Sequence, residues 1–364
     1  MDLDCHSFSS FDAFVSCTNM FFDKHKASWI RKLRLSIRTP VGVDDTTYLT
    51  PWIDSAITHN IQHLDVHFSC LYKGNDPEVV SLPCLKIMQL EYVKYPNEAS
   101  FVKLISGSPV LEDLTVIRAP TNNSNVLIVC SQTLKRIYIN QFIRFDEQNG
   151  VVIDAPLLEI LMIKCYLTNN LKIINLGLTP KIDIDIPFIT IDVLDTNDSS
   201  KRSVVHNFFA SISRARCLAI SHSTVTVIEK LEPQLQFSYL SQLSASFSMF
   251  DLKMLPRILR SYPKLKSLIL ELVDDRHRKN GEPTVMFSSV PPCLISSLKF
   301  VELKSPILGY EGEIELVRYF LKNSRVLEKL SLRFKNHNRK KSKHVILQEL
   351  LAIPRCSSTC EVVF

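Results

Sequence analysis

Ser108-Pro109-Val110-Leu111-Glu112-Asp113-Leu114-Thr115-Val116 holds a phrase, P-x-L-x-x-L-x-L, that returns along the chain as Pro83 to Leu90, Pro156 to Ile163 and Pro263 to Leu270. Residues two apart on a strand lie on one face, so Leu114 and Val116 are expected to point into a core, with Thr115 between them on the other face. Leu111, three residues earlier, seals the layer where the chain enters the strand. Proline at the head suits a strand start, because it holds the preceding residue extended and its missing N–H costs little there.

Variants without the proline fill much of the remaining chain. With the middle apolar residue as marker, the series reads Leu33, Leu64, Met88, Leu114, Ile137, Leu161, Leu218, Leu243, Leu268, Val301 and Leu330, in steps of 31, 24, 26, 23, 24, 57, 25, 25, 33 and 29. Most steps fall in or near the roughly 20–29 residues of leucine-rich repeats. The long step has room for two units, for which Lys181 to Ile186 and the strand-like Phe188 to Leu194 are candidates, with the register left open. One unit of this size cannot cover its own apolar face, so neighbours must stack into a continuous core. The fold expected is α/β: an irregular leucine-rich-repeat solenoid, a horseshoe. Irregularity is expected because the position five after the marker, often Asn or Cys in such repeats, holds Ser69, Val93, Ala119, Phe142, Tyr166, Val273 and Lys335.

Composition removes several function classes. The 364 residues are 46% apolar and 22% charged, with a formal charge of +6, too modest to suggest a nucleic-acid partner. No apolar run reaches the roughly 18 residues of a membrane span, and no secretory signal opens the sequence, so an intracellular protein, cytoplasmic and/or nuclear, without membrane partner, is expected. The eight glycines form no phosphate-cradling loop, and the ten cysteines include no C-x-x-C, so neither cofactor nor metal is expected. No H-E-x-x-H or G-x-S-x-G occurs, and no catalytic constellation emerges. Asp183-Ile184-Asp185 reads as a half-exposed strand rather than a metal site. Lys335 to His344 and Arg276 to Lys279 read as solvated basic loops, a nuclear-import or nucleic-acid patch being the alternative for the former. The sequons at Asn122 and Asn197 should stay unmodified without a secretory route.

From about Phe287 the texture changes. Val290-Pro291-Pro292-Cys293-Leu294 leads to a strand at 298–303. Glu311 to Asn323 then reads as a helix with acids early and Lys322 late. A strand at 327–334, a helix at 345–353 ended by Pro354, and a short strand at 360–364 complete a module that would close an open solenoid end. The phrases V-P-P-C-L, L-K-x-V-E-L, E-x-E-x-x-x-x-F-L-K-N, L-E-K-L-S-L and I-P-R-C-S-S-x-C resemble the FBD domain of plant F-box/FBD/LRR-repeat proteins. Ser108 to Val116, Leu82 to Lys86, Phe8 to Val15 and Trp52 to Ala56 resemble the rest of the same family. The resemblance covers essentially the whole chain and divides it into degenerate repeats, about 9–11 units, at 1–285 and an FBD cap at 286–364.

The resemblance implies a non-enzymatic interaction module, the substrate-recognition part of an SCF-type E3 ubiquitin ligase F-box subunit. The family's F-box ordinarily precedes this region and docks a Skp adaptor and cullin. Met1-Asp2-Leu3-Asp4 reads as already past it, so those two partners are expected only where an F-box is supplied. The alternative is a free-standing LRR/FBD binding protein with no ligase role. In a horseshoe, the residue after each marker faces the concave surface. The candidate partner-binding residues are Arg34, Asp65, Gln89, Thr115, Tyr138 and Met162, continuing as Ala219, Ser244, Ile269, Glu302 and Ser331. Tyr138 and Met162 suit anchoring contacts. The mixed chemistry of the row favours an unidentified target protein over a polyanion, and a monomer is expected.

Overall fold

In the computed structural model, which describes residues 1–24, 30–37, 52, 60–68, 81–93, 97–118, 126–141, 149–166, 168, 170–178, 180–186, 199–273, 285–334 and 340–364, the apolar positions of the repeated phrase become buried ladders. Among the described residues the architecture is mixed α/β with no closed barrel, and two compact units divide the chain at 180/181. Among the described residues no helix is long and apolar enough to cross a membrane.

In the unit 1–180, parallel strands stack in the order β1 (Asp2–Asp4), β2 (Lys32–Ile37), β3 (His63–Phe68), β4 (Ile87–Glu91), β5 (Asp113–Ile117), β7 (Arg136–Gln141) and β9 (Ile160–Cys165). The markers Leu33, Leu64, Met88, Leu114, Ile137 and Leu161 stand opposite one another. Two residues on, Leu35, Val66, Leu90, Val116, Ile139 and Ile163 form a second buried ladder; three residues before, Ile30, Ile61, Leu85, Leu111, Leu134 and Leu158 form a third. Each such side chain contributes about 1.5–3 kcal/mol when fully buried. One backbone bond recurs between units: Lys86 N donates to Gln62 O, Glu112 N to Lys86 O, Lys135 N to Glu112 O and Glu159 N to Lys135 O, at 2.8 to 2.9 Å.

The prolines sit a few residues before the strands rather than at their first residues. Pro109 is the second residue of a turn in which Leu111 N donates to Ser108 O at 3.1 Å, and Pro83, Pro156 and Pro263 occupy the same place before Leu85, Leu158 and Leu265. The fixed φ of proline matches that turn position. With no asparagine ladder, some turn carbonyls are met by hydroxyls: Thr133 donates to Leu111 O at 2.7 Å, Ser297 to Leu265 O at 2.9 Å and Ser357 to Leu327 O at 2.7 Å.

The segments between sheet strands differ. Asn97 caps α2 (Glu98–Ser106) between β4 and β5, whereas β6 (Val126–Cys130), β8 (Gly150–Ala155) and β10 (Asn170–Leu176) form a second parallel sheet in the order β10-β8-β6. At Gly150 a Cβ would lie 2.2 Å from that of Asn170, so only glycine permits this approach. Near the N-terminus, Ser10 Oγ accepts from Ala13 N at 3.1 Å and starts α1 (Phe11–Lys24). Its buried Phe14 meets Trp52 edge-on at 5.6 Å.

In the unit 181–364, parallel strands run β11 (Lys181–Asp185), β12 (Cys217–Ile220), β13 (Gln242–Ser248), β14 (Ser267–Val273), β15 (Phe300–Ile307), β16 (Lys329–Phe334) and β17 (Glu361–Val363). Ile182 stands opposite Leu218, which places one repeat in the long gap of the marker series; Phe188 to Leu194 lies outside the described residues. The returns carry α3 (Ser199–Ser211), α4 (His222–Glu229), α5 (Leu255–Arg260), α6 (Pro292–Ser296), α7 (Glu311–Asn323) and α8 (Lys343–Leu351). Helix α7 has the bounds its charge pattern predicts.

Candidate partner-binding face

Alternation along the strands turns every residue that follows a marker away from the ladders. Arg34, Asp65, Gln89, Thr115, Tyr138 and Met162 therefore form one row across the sheet of the unit 1–180, each directly opposite the next, with Asp2 ahead of Arg34. All six predicted residues come together. Met162 is 38% exposed, and Gln89, Thr115 and Tyr138 are half-buried.

The charged part of this face is paired within itself. Arg34 lies between Asp2 and Asp65, at 3.6 and 3.5 Å; His67 meets Glu91 at 2.9 Å; Arg136 pairs with Asp113 on the neighbouring strand. Burial holds the His63 imidazole below its ordinary range, and the nearby Lys32 ammonium lowers it further, so His63 favours the neutral form. Toward β7 and β9 larger apolar side chains join the row, with Arg136 one pleat before it and Asn140 and Lys164 one pleat after it. Ile87 lies one pleat before Gln89, Ile160 one pleat before Met162 and Ile117 one pleat after Thr115. The sequence reading missed these three isoleucines, although the same alternation marks them. The Tyr138 hydroxyl accepts from Asn140 Nδ2 at 3.5 Å.

In the unit 181–364 the corresponding row, Ala219, Ser244, Ile269, Glu302 and Ser331, also runs in register. Its side chains are smaller, and Glu302 is held by Arg333 at 2.7 Å.

Other sequence candidates divide. Of the basic run, Lys340 lies 5.4 Å from the Tyr310 ring, Lys343 lies 5.5 Å from the Phe334 ring and Lys341 pairs with Glu349 at 2.7 Å, while 335–339 lie outside the described residues. These lysines contact the protein's own surface. Arg276 to Lys279, Asn122 to Ser124, Asn197 and Asp198 also lie outside the described residues. Asp183 and Asp185 are half-exposed on β11 between buried isoleucines, as the alternation predicts. Asp4, Cys5 and His6 bring three donor atoms within 4.8 Å, but the Asp4 carboxylate already accepts the His6 N–H at 3.0 Å and caps a 3-10 turn. Cys293 is fully buried, which pushes its thiol up to about 12.

Comparison with known proteins matches the FBD family to residues 287–332, and the LRR repeats of FBD-associated F-box protein At5g56370 to residues 46–184. The chain is 46% identical over 392 residues to F-box/FBD/LRR-repeat protein At5g53840 of Arabidopsis thaliana, an alignment covering 100% of this chain and 85% of that relative. It is 47% identical over 391 residues to F-box/FBD/LRR-repeat protein At1g51370 of the same plant, covering 100% and 86%. To FBD-associated F-box protein At5g22730 it is 36% identical over 403 residues, covering 100% and 85%. At these identities over the whole chain, it belongs to the plant F-box/FBD/LRR-repeat protein family.

Proposed function

We propose that the chain is the substrate-recognition part of an SCF-type E3 ubiquitin ligase F-box subunit, a repeat solenoid with its FBD region as cap. Arg34, Asp65, Gln89, Thr115, Tyr138 and Met162 would hold a target protein on the solenoid's concave side. The observation carrying this reading is the row itself: six chemically varied side chains in register over buried ladders. A rigid strand array can present such residues with little ordering cost on binding. Catalysis would belong to other subunits; this chain's task is to capture a protein and position it.

The test is co-precipitation from plant extract with the chain and with a Tyr138→Ala, Met162→Ala double variant. Circular dichroism serves as the folding control. Target recovery should fall about tenfold in the variant, as for paired anchor residues. Unchanged recovery contradicts the assigned face. Recovery of a Skp adaptor and cullin with the target supports the ligase role, whereas a target captured without them identifies a free-standing binding protein.

A further inference from the structure

We infer that the segment this face receives is an amphipathic helix of the partner, uncharged on its docking side and laid across β5, β7 and β9. The inference rests on the proposed function and deepens it by naming the shape and chemistry of the occupant.

Two observations carry it. The first is charge. Arg34, His67 and Arg136 are each held by an acid on the same face, through Asp2 and Asp65, Glu91, and Asp113. A charged partner would have to break these pairs, while Ile117, Tyr138, Ile160 and Met162 offer apolar contact beside them, with Lys164 at the far edge of that patch on β9. An apolar segment fits without that loss.

The second is spacing. Thr115, Tyr138 and Met162 sit on adjacent parallel strands in direct register. Neighbouring strands lie about 4.8 Å apart, and a helix presents one face every 5.4 Å, about 0.6 Å more per step. From β5 to β9 the helix drifts by only about 1.2 Å. An extended segment repeats its side chains about every 6.7 Å and would drift by about 4 Å over the same two steps. Helical anchors at i, i+3 or i+4, and i+7 therefore stay over successive strands; alternating ones do not.

The test pans the full chain against a phage-displayed library of random peptides about 16 residues long, roughly four helical turns. Enriched peptides are then measured against wild type and against two face variants, Met162→Asp and Tyr138→Ala, neither of which is used in the selection. Met162 is exposed, so Met162→Asp should keep the wild-type circular dichroism and melting. Enriched peptides are expected to carry apolar residues at i, i+3 or i+4, and i+7, and to gain helical signal on binding. They should bind Met162→Asp about tenfold more weakly and lose less than about threefold in affinity from low to high salt. Face-dependent peptides that alternate, are proline-rich or lose affinity steeply with salt overturn the helix inference and leave the proposed function standing. Peptides that bind wild type and both face variants equally overturn both.

Discussion

His63 stands on the polar half of the row's face, where burial and Lys32 hold its imidazole below the ordinary value of 6.5. The folded state then binds fewer protons than the unfolded chain near that pH, so this residue's contribution is fully present above it and is lost as pH falls through it. The urea midpoint of wild type should therefore fall further from about pH 7.5 to about pH 5.5 than that of His63→Gln. Parallel declines in the two proteins would contradict the assignment. Sequence alone placed His63 before Leu64 on a strand but not its depressed imidazole, because that depends on Lys32 from the preceding strand and on burial. The inward ladders were legible for the opposite reason. A period of two needs only neighbouring residues to show that Leu114 and Val116 go to the core, and both are buried.

Among the elements, α7 depends on one carboxylate. Glu313 accepts N–H groups from Leu308, Gly309 and Tyr310 at 2.8, 2.8 and 3.0 Å, where Gly309 supplies a φ of +91 that other residues rarely adopt. Glu313→Ala leaves these donors without the acceptor in a site where the side chain is only 4% exposed. The expected loss is about 3 kcal/mol in urea unfolding, with Glu313→Gln between the two; a loss below about 0.5 kcal/mol would contradict this role for the cap. The bounds of α7 were readable because its acids, apolar spacing and terminal Lys322 agree. The sheet of β6, β8 and β10 was not. Val126 to Cys130 is a short, almost unbroken apolar run, and such a run does not reveal its partner β8, 24 residues away where Leu127 stands opposite Val151, nor that β10 pairs with the other edge of β8. The prolines misled for a related reason. Proline is compatible with a strand start and with the second position of a turn, and the bond from Leu111 to Ser108 decides for the turn.

For the whole molecule, repetition gave the architecture, while recognition depends on what each unit displays outward. The row from Arg34 to Met162 follows from alternation, but alternation sets direction and not contact energy. Pairing makes the difference: acids occupy Arg34 and Arg136, which leaves Tyr138, Met162 and the isoleucines around them as the face's apolar contact surface. The unit 181–364 repeats the register with smaller residues, so the proposed capture of a target falls to the unit 1–180. The most direct test is site-specific photo-crosslinking in plant extract, with a benzophenone amino acid placed singly at Gln89, Thr115 or Met162, or at the exposed off-sheet positions Met20 and Leu351. One common target should crosslink from the three face positions and none from the two helix positions; crosslinks to that target from Met20 or Leu351, with none from the face, would rule the proposed face out.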